Sequence, residues 1–214
     1  ARAEKYLQLG LPVTGQHIVS SRDALVAALP AVHQRSEFLQ LDSKTQLING
    51  LTSSANANSK LFDTVKGFVF LGSSGWGEDD QALLEQSLLQ RMRPVLVGNP
   101  DVSAPHPHQF SAEPGYWMAR AMKAVPGLRP RWLGKPHLPA FQLAVDKVNQ
   151  LAAASVPNHR IAMVGDSLHT DILGGAAAGL GTILITNYGL LRAHDVDQLC
   201  AEMQIFPDWQ VRLI

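Results

Sequence analysis

Residues 160–189 carry the clearest alternation of apolar and polar positions in the chain. A four-residue apolar run at 161–164 gives way to a short turn holding two carboxylates, then to a helical stretch of small residues, then to a second apolar run at 182–186. The first run follows the turn-forming Pro157-Asn158 and is predicted as a buried parallel strand, with a helix starting at Thr170. Asp166 stands where the strand ends, and Asp171 falls in the first turn of the helix. Gly174, Gly175 and Ala176 to Ala178 let this helix lie close on a sheet, and Gly179 or Gly181 ends it. Strand, acidic turn, helix and strand form one βαβ unit, and ligands of such units bind in the crevice beyond the carboxyl ends of the strands.

The rest of the chain follows the same rhythm less clearly. Residues 1–9 place Ala3, Tyr6 and Leu7 on one side and are stopped by Gly10 and Pro12, which reads as the end of a helix. Residues 17–19 form a brief strand candidate, and Ser20 with Asp23 makes a capping-box-like start for a helix over 22–29, closed by Pro30. Between 37 and 59, FLQLD and LING are strand candidates and SSANANS reads as an exposed loop. KGFVFL at 66–71 is a strand followed by the loop GSSGWG. The spacing then predicts an amphipathic helix over 78–92 with Leu83, Leu84, Leu88 and Leu89 inward and acids in its first turn. A strand at 94–97 turns at Asn99-Pro100-Asp101 into a loop rich in Pro and His. Beyond it come a helix at 116–124, a strand at 131–133, and a helix at 139–151 carrying Phe141, Leu143, Ala144 and Val148. This alternation predicts an α/β fold with parallel pairing at least in the last third.

Composition narrows the function classes. With 214 residues the chain can bury a full core, in one large domain or two smaller ones. Eighteen basic and eighteen acidic residues cancel, so neither nucleic acid nor an anionic membrane surface is an expected partner. Cys200 is the single cysteine; it is read as a packing residue and suits a reducing cytoplasm rather than a disulfide-stapled domain. No apolar run approaches the roughly 18 residues that a membrane span needs.

Candidate chemistry gathers at three places: Gly134-Lys135-Pro136, Gly165-Asp166, and Asp171. A lysine just past one short strand and a carboxylate at the end of the next reach the same sheet edge. Carboxylates are the hard oxygen ligands Mg²⁺ prefers, and an ammonium neutralises phosphate oxygens as charge builds in a transition state. That combination is equipment for phosphoryl transfer.

LGKP at 133–136 and VGDSLHTDILGG at 164–175 resemble the third and fourth motifs of the haloacid dehalogenase (HAD) superfamily of phosphatases. Together with VLVGNPD they look like its class IIA branch, and LGLPVTGQHIVSS near the start is similar to the segment that follows the second motif there. The resemblance implies a Rossmann-like core with a parallel sheet from residues 1–21 and 133–214, and an inserted α/β cap domain from 22–132. It implies a Mg²⁺-dependent, cytoplasmic hydrolase of small sugar, nucleotide or cofactor phosphates that works through an aspartyl-phosphate, with room for a homo-oligomer formed through the cap. Lys135 would touch nucleophile and phosphate, Asp166 would hold the metal, and Asp171 would support it through water. Asn99 and Asp101 would lie on the substrate-facing loop of the cap. The first two motifs, including the nucleophilic Asp, are expected upstream of Ala1. FLQLD ending at Asp42 with LTSS at 51–54 imitates them, but the intervening segment is shorter than a parallel crossover normally needs.

Other readings are weighed beside this one. Asp166 and Asp171 taken singly suit a turn and a helix N-terminus, and Lys135 alone would be a surface charge. His106 and His108 lie in a Pro-rich loop that makes a poor metal cage. His169 either tunes substrate or faces water, and Trp76, Tyr116 and Trp117 either shape a pocket or pack the core. Gly165-Asp166-Ser167-Leu168 spells the block of the GDSL esterases, but the only D-x-x-H overlaps it, so no separate base dyad forms. A non-catalytic α/β binding module or an inactive fragment is the remaining alternative.

Overall fold

A computed structural model describes residues 2–42, 44–54, 58–105, 110–187, 189–192 and 194–212. His106 and His108 lie outside the described residues. The chain divides into two compact units, one formed by Ala1–Ser20 with Lys135–Ile214, the other by Ser21–Gly134. Helix α1 (Arg2–Gln8) opens the first unit. The strand expected at 17–19 is absent: Gly15–His17 is a 3₁₀ turn, because the Thr14 amide donates to His17 Nδ1 (3.0 Å) while the His17 amide donates to the Thr14 carbonyl.

The second unit runs through α2 (Ser21–Ala28), β1 (Phe38–Gln40), β2 (Thr52–Ser53), α3 (Ser59–Thr64), β3 (Gly67–Phe70), α4 (Glu78–Gln90) and β4 (Val95–Val97). The hairpin β5 (Ser103–Pro105) and β6 (Phe110–Ala112) follows, then α5 (Pro114–Ala124) and β7 (Arg131–Trp132). Five strands make one sheet in the order β2-β1-β3-β4-β7, and every pairing is parallel. All four residues of β3 are buried, as befits a central strand covered on both faces. The main core joins Phe68 and Phe70 of β3 to Phe62, Leu84, Leu88, Trp117 and Met118 from α3, α4 and α5.

Two expectations fail in this unit for identifiable reasons. LING is not a strand; β1 pairs instead with Thr52–Ser53, in parallel, across a short connection. The Gln40 side chain holds that return together, with Oε1 accepting from the Ile48 amide (3.0 Å) and Nε2 donating to the Thr45 carbonyl (3.3 Å). On α4, Leu84 and Leu88 are inward, Leu83 is half-buried, and Leu89 is 59 % exposed. Ser87 takes the inward place, because the guanidinium of buried Arg93 donates to its carbonyl (2.6 Å) and to the Phe62 carbonyl (2.5 Å).

The first unit resumes with α6 (Leu138–Ala152), β8 (Ala162–Gly165), a π-helical turn (Leu168–Ile172), α7 (Leu173–Ala177), β9 (Gly181–Ile185), α8 (Val196–Met203) and β10 (Trp209–Val211). Its sheet has the order β10-β9-β8, all parallel. Leu168, Ile172, Leu184, Leu191 and Cys200 pack as a core, so the cysteine serves as filling. A methyl at Gly174 would overlap the Phe141 ring of α6, which is why the start of α7 needs small residues. β8 was expected to be buried, yet Ala162 and Val164 are exposed, because among the described residues β8 pairs with β9 alone and forms the sheet edge. The α/β class with parallel sheets matches the expectation. Among the described residues, no helix is long and apolar enough to cross a membrane.

Candidate active site

Lys135, Asp166 and Asp171 all lie in the first unit. Lys135 comes shortly after β7, and its ammonium donates to Asp171 Oδ1 at 2.5 Å. Asp171 is 3 % exposed, and its second oxygen accepts from the Ser167 amide at 3.3 Å. The π-helical turn brings this carboxylate round. The Ser167 carbonyl accepts from both the Asp171 amide (3.0 Å) and the Ile172 amide (3.1 Å), widening the first helical turn at a place where such bulges often mark function.

Gly165, which the sequence names beside Asp166, and Gly189, which it does not single out, make the arrangement possible. A methyl on Gly165 would overlap Asp171 Oδ2, so the carboxylate packs directly on the strand backbone. Gly189 has φ +67 and lies against the Asp166 carboxylate, where a side chain would collide with Oδ2. The signals were present, a Gly immediately before the first Asp and a Gly after the last strand, but only the fold reveals what presses on them.

Asp166 is half-buried, and its carboxylate makes no hydrogen bond to the described residues. Among those residues no group of three or more His, Cys, Asp and Glu side chains could by itself hold a metal. Mg²⁺ does not need one, since it keeps several waters and takes one or two carboxylates together with substrate phosphate. Asp166, uncommitted and partly solvated, fits that role. Asp171, with both oxygens already accepting, fits as a support acting through water.

The remaining candidates sit elsewhere or are committed. Asn99 and Asp101 belong to the second unit; Asn99 Nδ2 donates to Glu113 Oε2 (3.2 Å), and its Oδ1 accepts from the Asp101 amide (3.1 Å). Asp42 is also in the second unit, buried, with Oδ1 accepting from the amides of Lys44 (2.9 Å) and Thr45 (3.2 Å). His169 is exposed, and among the described residues Ser167 Oγ has no histidine partner, so no serine-esterase dyad is assembled. Trp76 and Trp117 are packed in the core of the second unit, and Tyr116 is 39 % exposed. His137 caps α6, and burial pushes its pKa down.

Residues 132–209 match the HAD-hydrolase-like family, and this is the stretch that carries Lys135, Asp166 and Asp171. Over this stretch the chain is similar to the HAD-like hydrolases. Among its HAD relatives, the ribonucleotide monophosphatase NagD of Escherichia coli (strain K12) is 32% identical over 114 residues, covering 53% of this chain and 40% of that protein. The dihydroxyacetone phosphatase of Corynebacterium glutamicum (strain R) is 28% identical over 138 residues, covering 64% of this chain and 48% of that protein. The chain thus spans less than half the length of these two relatives. In fold it is similar to a possible sugar phosphatase of the HAD superfamily from Cytophaga hutchinsonii, with a TM-score of 0.79 at 24% identity over 99% of this chain and 76% of that one. A p-nitrophenylphosphatase from Bacillus stearothermophilus gives a TM-score of 0.68 at 18% identity, covering 98% of this chain and 76% of that one. These HAD relatives support the class IIA branch that the motifs indicated.

Proposed function

We propose that the protein serves a Mg²⁺-dependent phosphatase acting on a small phosphomonoester, with Lys135, Asp166 and Asp171 as its phosphoryl-binding and metal-supporting groups. The observation that carries this reading is the Lys135–Asp171 pair beside an uncommitted Asp166 at the carboxyl end of β8. The relatives whose names declare phosphatase activity support the same class.

On this reading Lys135 is held by Asp171 at a fixed point, so its remaining donors are aimed without a search through rotamers, and they neutralise a phosphoryl oxygen as charge develops. Asp166 holds Mg²⁺, which would neutralise further charge on the phosphoryl oxygens when bound. The attacking carboxylate is assigned to the superfamily's first motif, and among the described residues the edge of β8 is open to hydrogen bonds from a neighbouring strand. Attack forms the aspartyl-phosphate and breaks the bond from phosphorus to the ester oxygen, and the leaving oxygen takes a proton from solvent water and departs as the alcohol. Water then cleaves the acyl phosphate, restoring the carboxylate and releasing phosphate. The second unit, with Asn99 and Asp101, is assigned as the cap that selects substrate.

Hydrolysis of p-nitrophenyl phosphate by the protein, with Mg²⁺ and with chelator, tests the reading. Asp166→Asn is expected to lower the Mg²⁺-dependent rate by roughly a hundredfold or more. Retained activity in that variant overturns the role of Asp166, and hydrolysis that survives chelation overturns the metal dependence.

A further inference from the structure

The turn that follows β9 reaches back to the end of β8. Gly189 opens that 3₁₀ turn (Gly189–Leu191) with φ +67. A methyl added there would overlap Asp166 Oδ2 and press on Cγ (2.7 Å) and Cβ (3.1 Å) of the same residue. The whole short side chain, and not only its tip, lies against the Gly189 Cα.

The turn has little room to retreat. Three residues before Gly189, Thr186 donates through its amide (2.9 Å) and its hydroxyl (3.3 Å) to the carbonyl of Val211 in β10. Two residues after it, Leu191 is 7% exposed and packs with Leu168, Ile172, Leu184 and Cys200. Leu168 stands two residues beyond Asp166, so the backbone on both sides of the contact is tied to one hydrophobic core. The Asp166 carboxylate makes no hydrogen bond to the described residues and borders a cavity of about 240 Å³ between the π-helical turn and α8. A side chain at position 189 therefore meets an anchored backbone on its own side and a rotatable carboxylate on the other, and the carboxylate is what gives way.

We propose that Gly189 is a positioning residue for Asp166: its missing side chain selects the carboxylate rotamer, and through it the point at which a divalent cation is held. The metal half rests on the phosphatase reading above; the rotamer half does not. Gly179, in the same unit, supplies an internal reference. Its φ is +71, but the nearest atom to an added methyl is Asn158 Cβ at 4.0 Å. Gly179→Ala therefore imposes the left-handed strain without the contact.

NMR on the 214-residue chain tests both halves. The Hα–Hβ couplings of Asp166 should report one shared rotamer in the wild type and Gly179→Ala, and a different one in Gly189→Ala. Mn²⁺, added as the metal probe, should broaden the Asp166 and Ser167 amides, and Gly189→Ala should need about tenfold more of it for the same broadening while Gly179→Ala needs no more than the wild type. Should Gly189→Ala fail to fold, Gly189→Asn repeats the comparison with a residue that enters the left-handed region more readily. An unchanged Asp166 rotamer in a folded position-189 variant, or the same change in Gly179→Ala, overturns the positioning role. A changed rotamer with unaltered Mn²⁺ broadening overturns its link to the metal. Absent broadening in the wild type overturns Asp166 as a metal ligand, and with it the phosphatase reading and the metal half of the proposal, while the rotamer comparison, which needs no metal, decides the other half.

Discussion

Gly165 and Asp171 share one space: the carboxylate of Asp171 rests on the Cα of Gly165, where a methyl group would overlap Oδ2. The same carboxylate accepts from the Lys135 ammonium at 2.5 Å. A backbone position thus decides where the Lys135 ammonium can stand.

Gly165→Ala is the sharpest test of that relationship. The added methyl has to displace a buried carboxylate or bend β8, so a loss of about 1–3 kcal/mol is expected from overpacking. Urea or thermal unfolding measures it. On the phosphatase reading the rate on p-nitrophenyl phosphate should fall with it, even though the variant removes no charged group.

The Lys135–Asp171 pair should be worth less than its short distance suggests. The Lys135 side chain is 48% exposed while that of Asp171 is 5% exposed, so solvent screens the pair on one side. A double-mutant cycle of Lys135→Met and Asp171→Asn is expected to give a coupling of about 1 kcal/mol or less, below the several typical of fully buried pairs. A coupling well above that would mean the lysine is more enclosed than described.

Arg93 offers a contrasting case in the second unit. Its guanidinium is buried, donates to the carbonyls of Phe62 and Ser87, and lies over the Phe68 ring at 4.8 Å. Burial is the first cause lowering its pKa, followed by the charge of Arg91, with Asp63 opposing. Arg93→Met should cost about 3 kcal/mol, because it removes at one buried site the charge-assisted bonds to the Phe62 and Ser87 carbonyls together with the contact over the Phe68 ring. Arg93→Lys should recover little, since one ammonium cannot span both directions. Chemical denaturation distinguishes these outcomes.

His137 predicts a pH dependence. Burial lowers its folded-state pKa below the ordinary 6.5, so the unfolded chain takes up a proton first as pH falls. The stability it contributes is therefore fully present above about pH 6.5 and is lost as pH falls through the folded value. Comparing Tm against pH for the wild type and His137→Asn should show that part of the acid-side slope disappear in the variant. An unchanged slope would assign the loss to other groups.

The first unit was the more legible one. Its strand, acidic turn and helix are local in sequence, and Lys135, Asp166 and Asp171 follow from motif spacing that the fold brings into one unit. What periodicity could not supply was the pairing partner. The apolar run 161–164 predicts a buried strand, but exposure depends on how many neighbours a strand has, and β8 has one among the described residues. The inward expectation for Leu89 fails for the same kind of reason: hydrophobicity alone cannot see that Ser87, hydrogen-bonded by buried Arg93, takes the inward place. Asn99 is occupied by Glu113, a partner 14 residues away whose approach depends on the β5–β6 hairpin. Short elements such as β2, α3 and β10 carried too few residues to show a period.

The open edge of β8 has a practical consequence for anyone handling the chain. Among the described residues no strand pairs with the outer side of Ala162, Met163, Val164 and Gly165, and neither a charge nor a proline stands among them to deter a second strand. Val164 is 39 % exposed on the same element. Such a margin invites strand addition between copies, so concentrated solutions of the chain should lose material to self-association. A lysine at position 162, whose side chain points to solvent, is the substitution most suited to blunt that margin without touching Lys135 or either carboxylate.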